Sequence, residues 1–197
     1  MAENAWKIYH RDEGFGPNLT PKHKMKRKII TGITLGAVAG LLILFASPSY
    51  NQGEPSLAGS TAKPFSFEED GKPMQLSDLR GKVVVLNFWA TWCPPCVDET
   101  PSLIALQREI APKGGVVLGI SVDADAQAYA QFVQANGIDY PTYRDPTKKI
   151  PESYGTSMYP DTYIIDRQGK IARKLVGAQD WTSPEMTAYF NSLLAKN

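Results

Sequence analysis

Apolar positions along this chain fall into one long unbroken run near the start and several shorter patterned runs further on. The long run, Ile29 to Ala46, has no charged residue. As a helix at about 1.5 Å per residue it spans roughly 27 Å, close to a bilayer's hydrocarbon core. It predicts a transmembrane anchor over 29–46, preceded by a polar tail over 1–28. Gly32, Gly36 and Gly40 recur within it at a spacing that permits close helix approach in lipid but is also common in any membrane helix. Residues 47–63 are rich in Ser, Pro, Gly and Ala, with little to bury, and read as a flexible linker.

From residue 64 to 197 the pattern is that of a folded domain. Phe65 to Glu68 alternates apolar and polar residues, and Asp70-Gly71 supplies a turn before Met74 to Leu79, which predicts an edge hairpin. Val83 to Trp89 is nearly continuous in apolar and β-branched residues, the mark of a central strand covered on both faces. A helix follows from Pro95 to Ile110, with Leu103, Leu106 and Ile110 at helical spacing, and Pro112 and Gly114-Gly115 end it. Val116 to Val122 repeats the buried-strand pattern, and a second helix runs from Ala126 to Asn136, closed by Gly137. A short helical or turn segment near Thr147 to Tyr154 precedes two strands, Thr162 to Ile165 and Ile171 to Val176. The last helix spans Pro184 to Ala195, capped by Ser183. This order predicts an α/β domain, a central mixed sheet with helices on both faces.

Hydrophobic residues make up 43% and charged residues 21% of the chain, which fits a globular domain and argues against wholesale disorder. The net charge of +1 conceals an asymmetry. Residues 1–63 carry eight Lys or Arg against four acids, and the remainder thirteen against sixteen. No basic surface of the kind that neutralises phosphates is evident in the domain, and nucleic-acid binding is not expected. Lys22, Lys24, Lys26, Arg27 and Lys28 immediately precede the apolar run, whereas Ser47 to Ala62 holds only Glu54. Positive-inside logic leaves the N-terminus in the cytoplasm and the domain on the far side of the membrane. The competing reading, a cleaved signal peptide, has against it a charged region of 28 residues, an apolar run longer than usual and no A-x-A site.

Two cysteines, Cys93 and Cys96, and two histidines, His10 and His23, are all the chain contains of either type. The histidines sit in the tail, so a four-ligand zinc site in the domain is ruled out, and neither metal nor cofactor is expected. A single disulfide closing so small a loop is no structural staple. Cysteines two residues apart at a strand-to-helix junction are suited to reversible disulfide chemistry. The helix N-terminus places positive dipole and unpaired N–H groups beside Cys93 and favours its thiolate. Cys96, one turn inside, is placed to attack a mixed disulfide on Cys93. Pro94 and Pro95 limit backbone freedom between the sulfurs. Trp89 reads as core, and Trp92, next to Cys93, as exposed at the site.

The string Leu86 to Pro101, LNFWATWCPPCVDETP, resembles the active-site region of TlpA/ResA-type thioredoxin-like proteins. The resemblance continues from Phe65 to the end of the chain, through Gly71-Lys72, Leu76-Ser77-Asp78-Leu79 before Gly81-Lys82, and Tyr163-Ile164-Ile165-Asp166 before Gly169-Lys170. It implies a thioredoxin-like fold behind one transmembrane helix. It also implies Cys93 as the attacking cysteine, Cys96 as the resolving one, Glu99 as a buried acid near the site and Pro160 as a cis-proline facing the pair. Asn87 stands where cytoplasmic thioredoxins place a buried aspartate, which leaves Glu99, one turn past Cys96, as the nearest base. A cis bond at Pro160 would present the Tyr159 backbone to an extended substrate, so Trp92, Pro94, Tyr159 and Pro160 are the expected substrate contacts.

The implied activity is thiol-disulfide exchange outside the cytoplasmic membrane of a bacterium, in the periplasm or its equivalent. It would reduce disulfides of exported proteins such as apocytochromes c or metal-site assembly proteins, with electrons from a membrane thiol donor. An oxidase or isomerase using the same cysteines with opposite electron flow remains the alternative, since the motif does not set the potential. A peroxidase would need Pro and Thr where Leu86 and Ala90 stand, and a copper chaperone would need a histidine after the cysteines.

Overall fold

The computed structural model describes residues 57–69 and 71–196. The predicted tail, the transmembrane anchor and the linker up to residue 56 lie outside the described residues. Among the described residues no helix is long and apolar enough to cross a membrane. The remainder of the predicted linker is docked on the domain. Gly59 N–H donates to Ile171 O, Ile171 N–H to Ser60 O and Ala62 N–H to Gly169 O, at 2.8, 2.8 and 2.9 Å. A segment poor in large side chains is held there by backbone hydrogen bonds to a strand edge, so the folded body takes in residues from 57 onward.

Strands β1 (Ser66–Glu69) and β2 (Lys72–Gln75) form a two-stranded hairpin, with Gly71 between them at φ +72°. The second strand ends earlier than the sequence pattern predicts, because Leu76–Leu79 is a 3-10 turn. The Asp78 carboxylate closes it by accepting from Gln75 N–H at 2.8 Å. A turn with three residues per cycle puts Leu76 and Leu79 on one side, where both are buried, whereas a strand would have pointed them to opposite faces.

The main sheet consists of β3 (Val83–Trp89), β4 (Gly115–Ser121), β5 (Thr142–Arg144), β6 (Asp161–Ile165) and β7 (Ile171–Val176), in the order β5-β4-β3-β6-β7. β3, β4 and β5 run parallel, and β6 and β7 are antiparallel to their neighbours. β3 is buried along its whole length, as its composition requires. The three-residue, half-buried β5 carries no alternation that would have revealed it.

Four helices are described: α1 (Pro94–Ile110), α2 (Ala126–Ala135), α3 (Lys149–Ser153) and α4 (Pro184–Leu194). Caps fix two of the starts. The Asp125 side chain accepts from Gln127 and Ala128 N–H, and Ser183 Oγ accepts from Met186 N–H.

The expectation of helices on both faces is met unequally. Val83 and Val85 pack against Leu103, Leu106 and Ile110 of α1 and Phe190 of α4. Tyr129 and Phe132 of α2 pack their rings 6.0 and 5.3 Å from Trp89, which continues the same strand face. Two successive right-handed crossovers in one direction, β3-α1-β4 and β4-α2-β5, put both helices on one side. The opposite face, Val84, Leu86 and Phe88, is covered by the hairpin, the 3-10 turn and the five-residue α3. Each large apolar side chain so buried contributes about 1.5–3 kcal/mol.

Candidate active site

β3 leaves the sheet at Trp89 and turns through Ala90 to Trp92, which makes Cys93 the N-cap of α1. Cys93 and Cys96 are joined in a disulfide with Cα atoms 5.3 Å apart. In this oxidised state the two are 5% and 2% exposed and pack with Trp89, Ala90, Val122 and Tyr159.

The unpaired N–H groups expected beside Cys93 are missing. Pro94 and Pro95 occupy the first two helical positions and carry no N–H. The next two, Cys96 N–H and Val97 N–H, both donate to Cys93 O at 3.0 and 3.1 Å. What remains for the Cys93 sulfur is the dipole of the helix as a whole. Further along, Pro101 lacks the N–H that would bond Val97 O, and flanking hydroxyls bond the carbonyls on either side. Thr100 Oγ1 donates to Cys96 O at 2.9 Å and Ser102 Oγ to Glu99 O at 2.8 Å.

Two buried carboxylates flank this turn. Asp123, just beyond β4, accepts from Thr91 N–H at 3.0 Å, from Thr91 Oγ1 at 2.7 Å and from Ser121 Oγ at 2.6 Å. It ties the turn before Cys93 to the neighbouring strand, and Arg144 secures its own backbone by donating to Asp123 O at 3.1 Å. Sequence reasoning passed over Asp123; its one signal was an acid directly after an apolar strand.

Glu99 is the second. The structure buries it, 3% exposed, where a helix acid on the solvent side would be open. Asn87 Nδ2 donates to Glu99 Oε1 at 2.9 Å and also to Thr162 Oγ1 at 2.9 Å. Gln179 N–H and the Trp181 indole N–H both donate to Glu99 Oε2 at 3.1 Å. Burial pushes the Glu99 carboxyl up to about 6, and the three donors limit the rise. Asn87, noted in the sequence only for the aspartate it replaces, is the donor that links Glu99 to the central strands. Gln179 and Trp181 escaped sequence reasoning altogether, although a tryptophan within the polar string Gly177 to Ser183 was a sign of docking.

Of the other predicted residues, Trp92, Pro94 and Tyr159 are at least partly exposed beside the disulfide, and Pro160 is buried. Trp92 is 60% exposed and meets Tyr159 edge to face at 6.1 Å. The Tyr159-Pro160 bond is cis, Tyr159 is half-buried against the cysteine cluster, and Pro94 is exposed. Met158, next in the chain to Tyr159, is 64% exposed. Trp89 is core, as its position in the strand predicts.

A redox-active Cys-Pro-Pro-Cys pair at this junction of a mixed sheet defines a thioredoxin-like thiol-disulfide oxidoreductase. Residues 58–174 match the AhpC/TSA family. The chain is 31% identical over 157 residues to the thiol-disulfide oxidoreductase ResA of Bacillus subtilis (strain 168), covering 79% of this chain and 88% of that protein. It is 32% identical over 184 residues to ResA of Oceanobacillus iheyensis, covering 89% and 95%. The crystal structure of a putative thiol:disulfide interchange protein DsbE from Chlorobium tepidum superposes with a TM-score of 0.66 at 28% identity, over 70% of this chain and 98% of that one. The chain belongs to the AhpC/TSA family and, within it, to the ResA-type thiol-disulfide oxidoreductases.

Proposed function

We propose that this protein is anchored in a bacterial cytoplasmic membrane by residues 29–46 and reduces disulfides of exported proteins on the outer side. Apocytochromes c and metal-site assembly proteins are the substrate class that the family resemblance suggests. Cys93 attacks the substrate disulfide, forming a mixed disulfide and releasing one substrate thiolate. Cys96 passes its proton to Glu99 and attacks the Cys93 sulfur. The second substrate thiolate leaves, and the Cys93–Cys96 disulfide carries away the two electrons' worth of oxidation. A membrane thiol donor then restores the dithiol. Trp92, Pro94, Tyr159 and Pro160 are the residues against which the substrate chain lies, Trp92 and Pro94 being exposed and Pro160 offering its backbone from a buried position.

The observation that carries the reductive direction is the stripped helix start. With the first two N–H groups removed by proline and the next two engaged by Cys93 O, the Cys93 thiolate gains little local stabilisation. A dithiol whose reduced form is poorly stabilised is the better reductant, the reverse of strongly oxidising relatives on this fold. Equilibration with glutathione redox buffers tests this. The expected potential lies below about −240 mV, in the reducing range; a value above about −180 mV would assign the protein to oxidation or isomerisation instead. Cys96→Ser should accumulate mixed disulfides through Cys93, and mass spectrometry of those adducts identifies the substrates. For the anchor, a reporter active only after export, fused to the C-terminus, should give signal in membranes at full-length mass. The apolar run and its basic flank support that topology.

A further inference from the structure

Among the described residues every hydrogen-bond partner of the Glu99 carboxylate is an uncharged donor. Two of the three come from a single loop between β7 and α4, where Gln179 N–H and Trp181 Nε1 converge on Oε2. That loop is braced at several points. Ser102, three residues past Glu99, accepts from Trp181 N–H at 3.4 Å, and its hydroxyl, whose one proton is directed at Glu99 O at 2.8 Å, lies 3.4 Å from Gln179 O. Gln179 Nε2 donates to Gly177 O at 2.8 Å, and Gly177 N–H donates to Pro160 O at 2.8 Å. One short loop therefore joins the cis-proline to the acid. The Trp181 ring is fully buried beside Phe190, at 6.4 Å between centroids.

We propose that the Gly177–Thr182 loop is a clamp that sets the proton affinity of Glu99, with Trp181 as its positioning residue. This rests on the role given to Glu99 above. A donor-only shell fits the carboxylate anion, because a protonated carboxyl must turn its O–H away from the donors or lose one of them. Burial acts in the opposite direction and favours the neutral acid. The balance between the two keeps the proton transferable, and the indole N–H is the part of that balance a single substitution removes. Among the described residues the other ionisable groups near Glu99 are Asp98 and, once reduced, Cys96 on its own helix, Asp180 in the loop, and Tyr140, whose burial raises its hydroxyl pKa and holds it neutral. Asp98 and Asp180 line, with Glu99 and Ser102, a surface cleft of about 250 Å³ beside the buried carboxyl.

Trp181→Phe keeps a ring in the core and deletes the donor. In the full-length protein, ¹³C NMR titration of the Glu99 carboxyl is expected to show a midpoint raised by about one pH unit, roughly tenfold in proton affinity. The Glu99-dependent limb of the Cys93 alkylation profile should move with it. A folded Trp181→Phe protein with an unmoved Glu99 midpoint overturns the clamp. A moved midpoint with an unmoved alkylation limb upholds the clamp and removes Glu99 from the thiol chemistry, which separates the two ideas. Should Trp181→Phe fail to fold, Ser102→Ala loosens the same loop from a half-buried position. It should shift the midpoint in the same direction by a smaller amount, and no shift there overturns the proposal.

Discussion

Asp123 and Glu99 stand on opposite shoulders of the same disulfide turn, both almost fully buried, and differ in what they hold. Asp123 grips the turn itself, taking hydrogen bonds from the Thr91 backbone and hydroxyl and fixing them to Ser121 on β4. Glu99 grips nothing in the turn. Its partners are a side chain from β3 and two N–H groups from the loop after β7, so what they control is its charge. A buried carboxylate bonded to the backbone of a reactive turn acts on geometry, and one ringed by remote donors acts on protonation. Type and burial alone do not separate the two.

The sharpest contrast is expected in stability. Asp123→Ala leaves Thr91 N–H, the Thr91 hydroxyl and the Ser121 hydroxyl without their acceptor, and should destabilise the domain by about 2–4 kcal/mol. Denaturant unfolding measures this, and a loss below about 1 kcal/mol would show that the turn does not depend on Asp123.

Glu99 is expected to show itself as a slope with pH. Its folded carboxyl, at about 6, lies above the unfolded value near 4.5, so the native state binds the proton more tightly. Stability from this group is greatest below about pH 4.5, where both states are protonated. It falls as pH rises through the folded value, by up to about 2 kcal/mol in total. Glu99→Gln abolishes that slope, whatever its absolute stability, since a glutamine keeps one acceptor oxygen for three donors. Unfolding of the oxidised protein at pH 4, 5, 6 and 7 gives the result, and parallel curves for wild type and variant would contradict the assignment.

The smallest expected effect belongs to Trp92, which lies on the turn that both carboxylates flank but is held by neither. Trp92→Ala should change stability by no more than about 0.5 kcal/mol, because the side chain is 60% exposed. Its consequence should appear as a several-fold rise in KM for a protein disulfide, with a small-molecule disulfide little affected. Equal losses on both substrates would place Trp92 in the turn's geometry and not on the substrate surface.

Much of the fold was legible because its signals are local. β3 begins and ends where its apolar run does, β7 spans Ile171–Val176 as expected, and Ser183 caps α4 where a serine precedes a proline and a periodic run. The elements misjudged were short and governed by neighbours. Leu76 and Leu79 chose a 3-10 turn because both had one core to enter, β5 is a strand because β4 offers it an edge, and Leu57–Ala62 is ordered by β7. The dipole argument for Cys93 failed in its hydrogen-bond part for a reason visible in the sequence, since prolines at the first two helical positions remove the donors it invoked.

By itself the sequence determined the cysteine pair, its place between a buried strand and a helix, and the acid one turn beyond. These relations span a few residues and follow from strand and helix periodicity. The environment of that acid was decided by tertiary structure alone. Its donors Asn87, Gln179 and Trp181 are 12, 80 and 82 residues away along the chain. They reach one carboxylate only because the sheet sets β3 beside β6, and β7 returns its following loop over α1. Residues so far apart carry no shared period, and a proton affinity set by burial and converging donors exists only once the chain has closed around it.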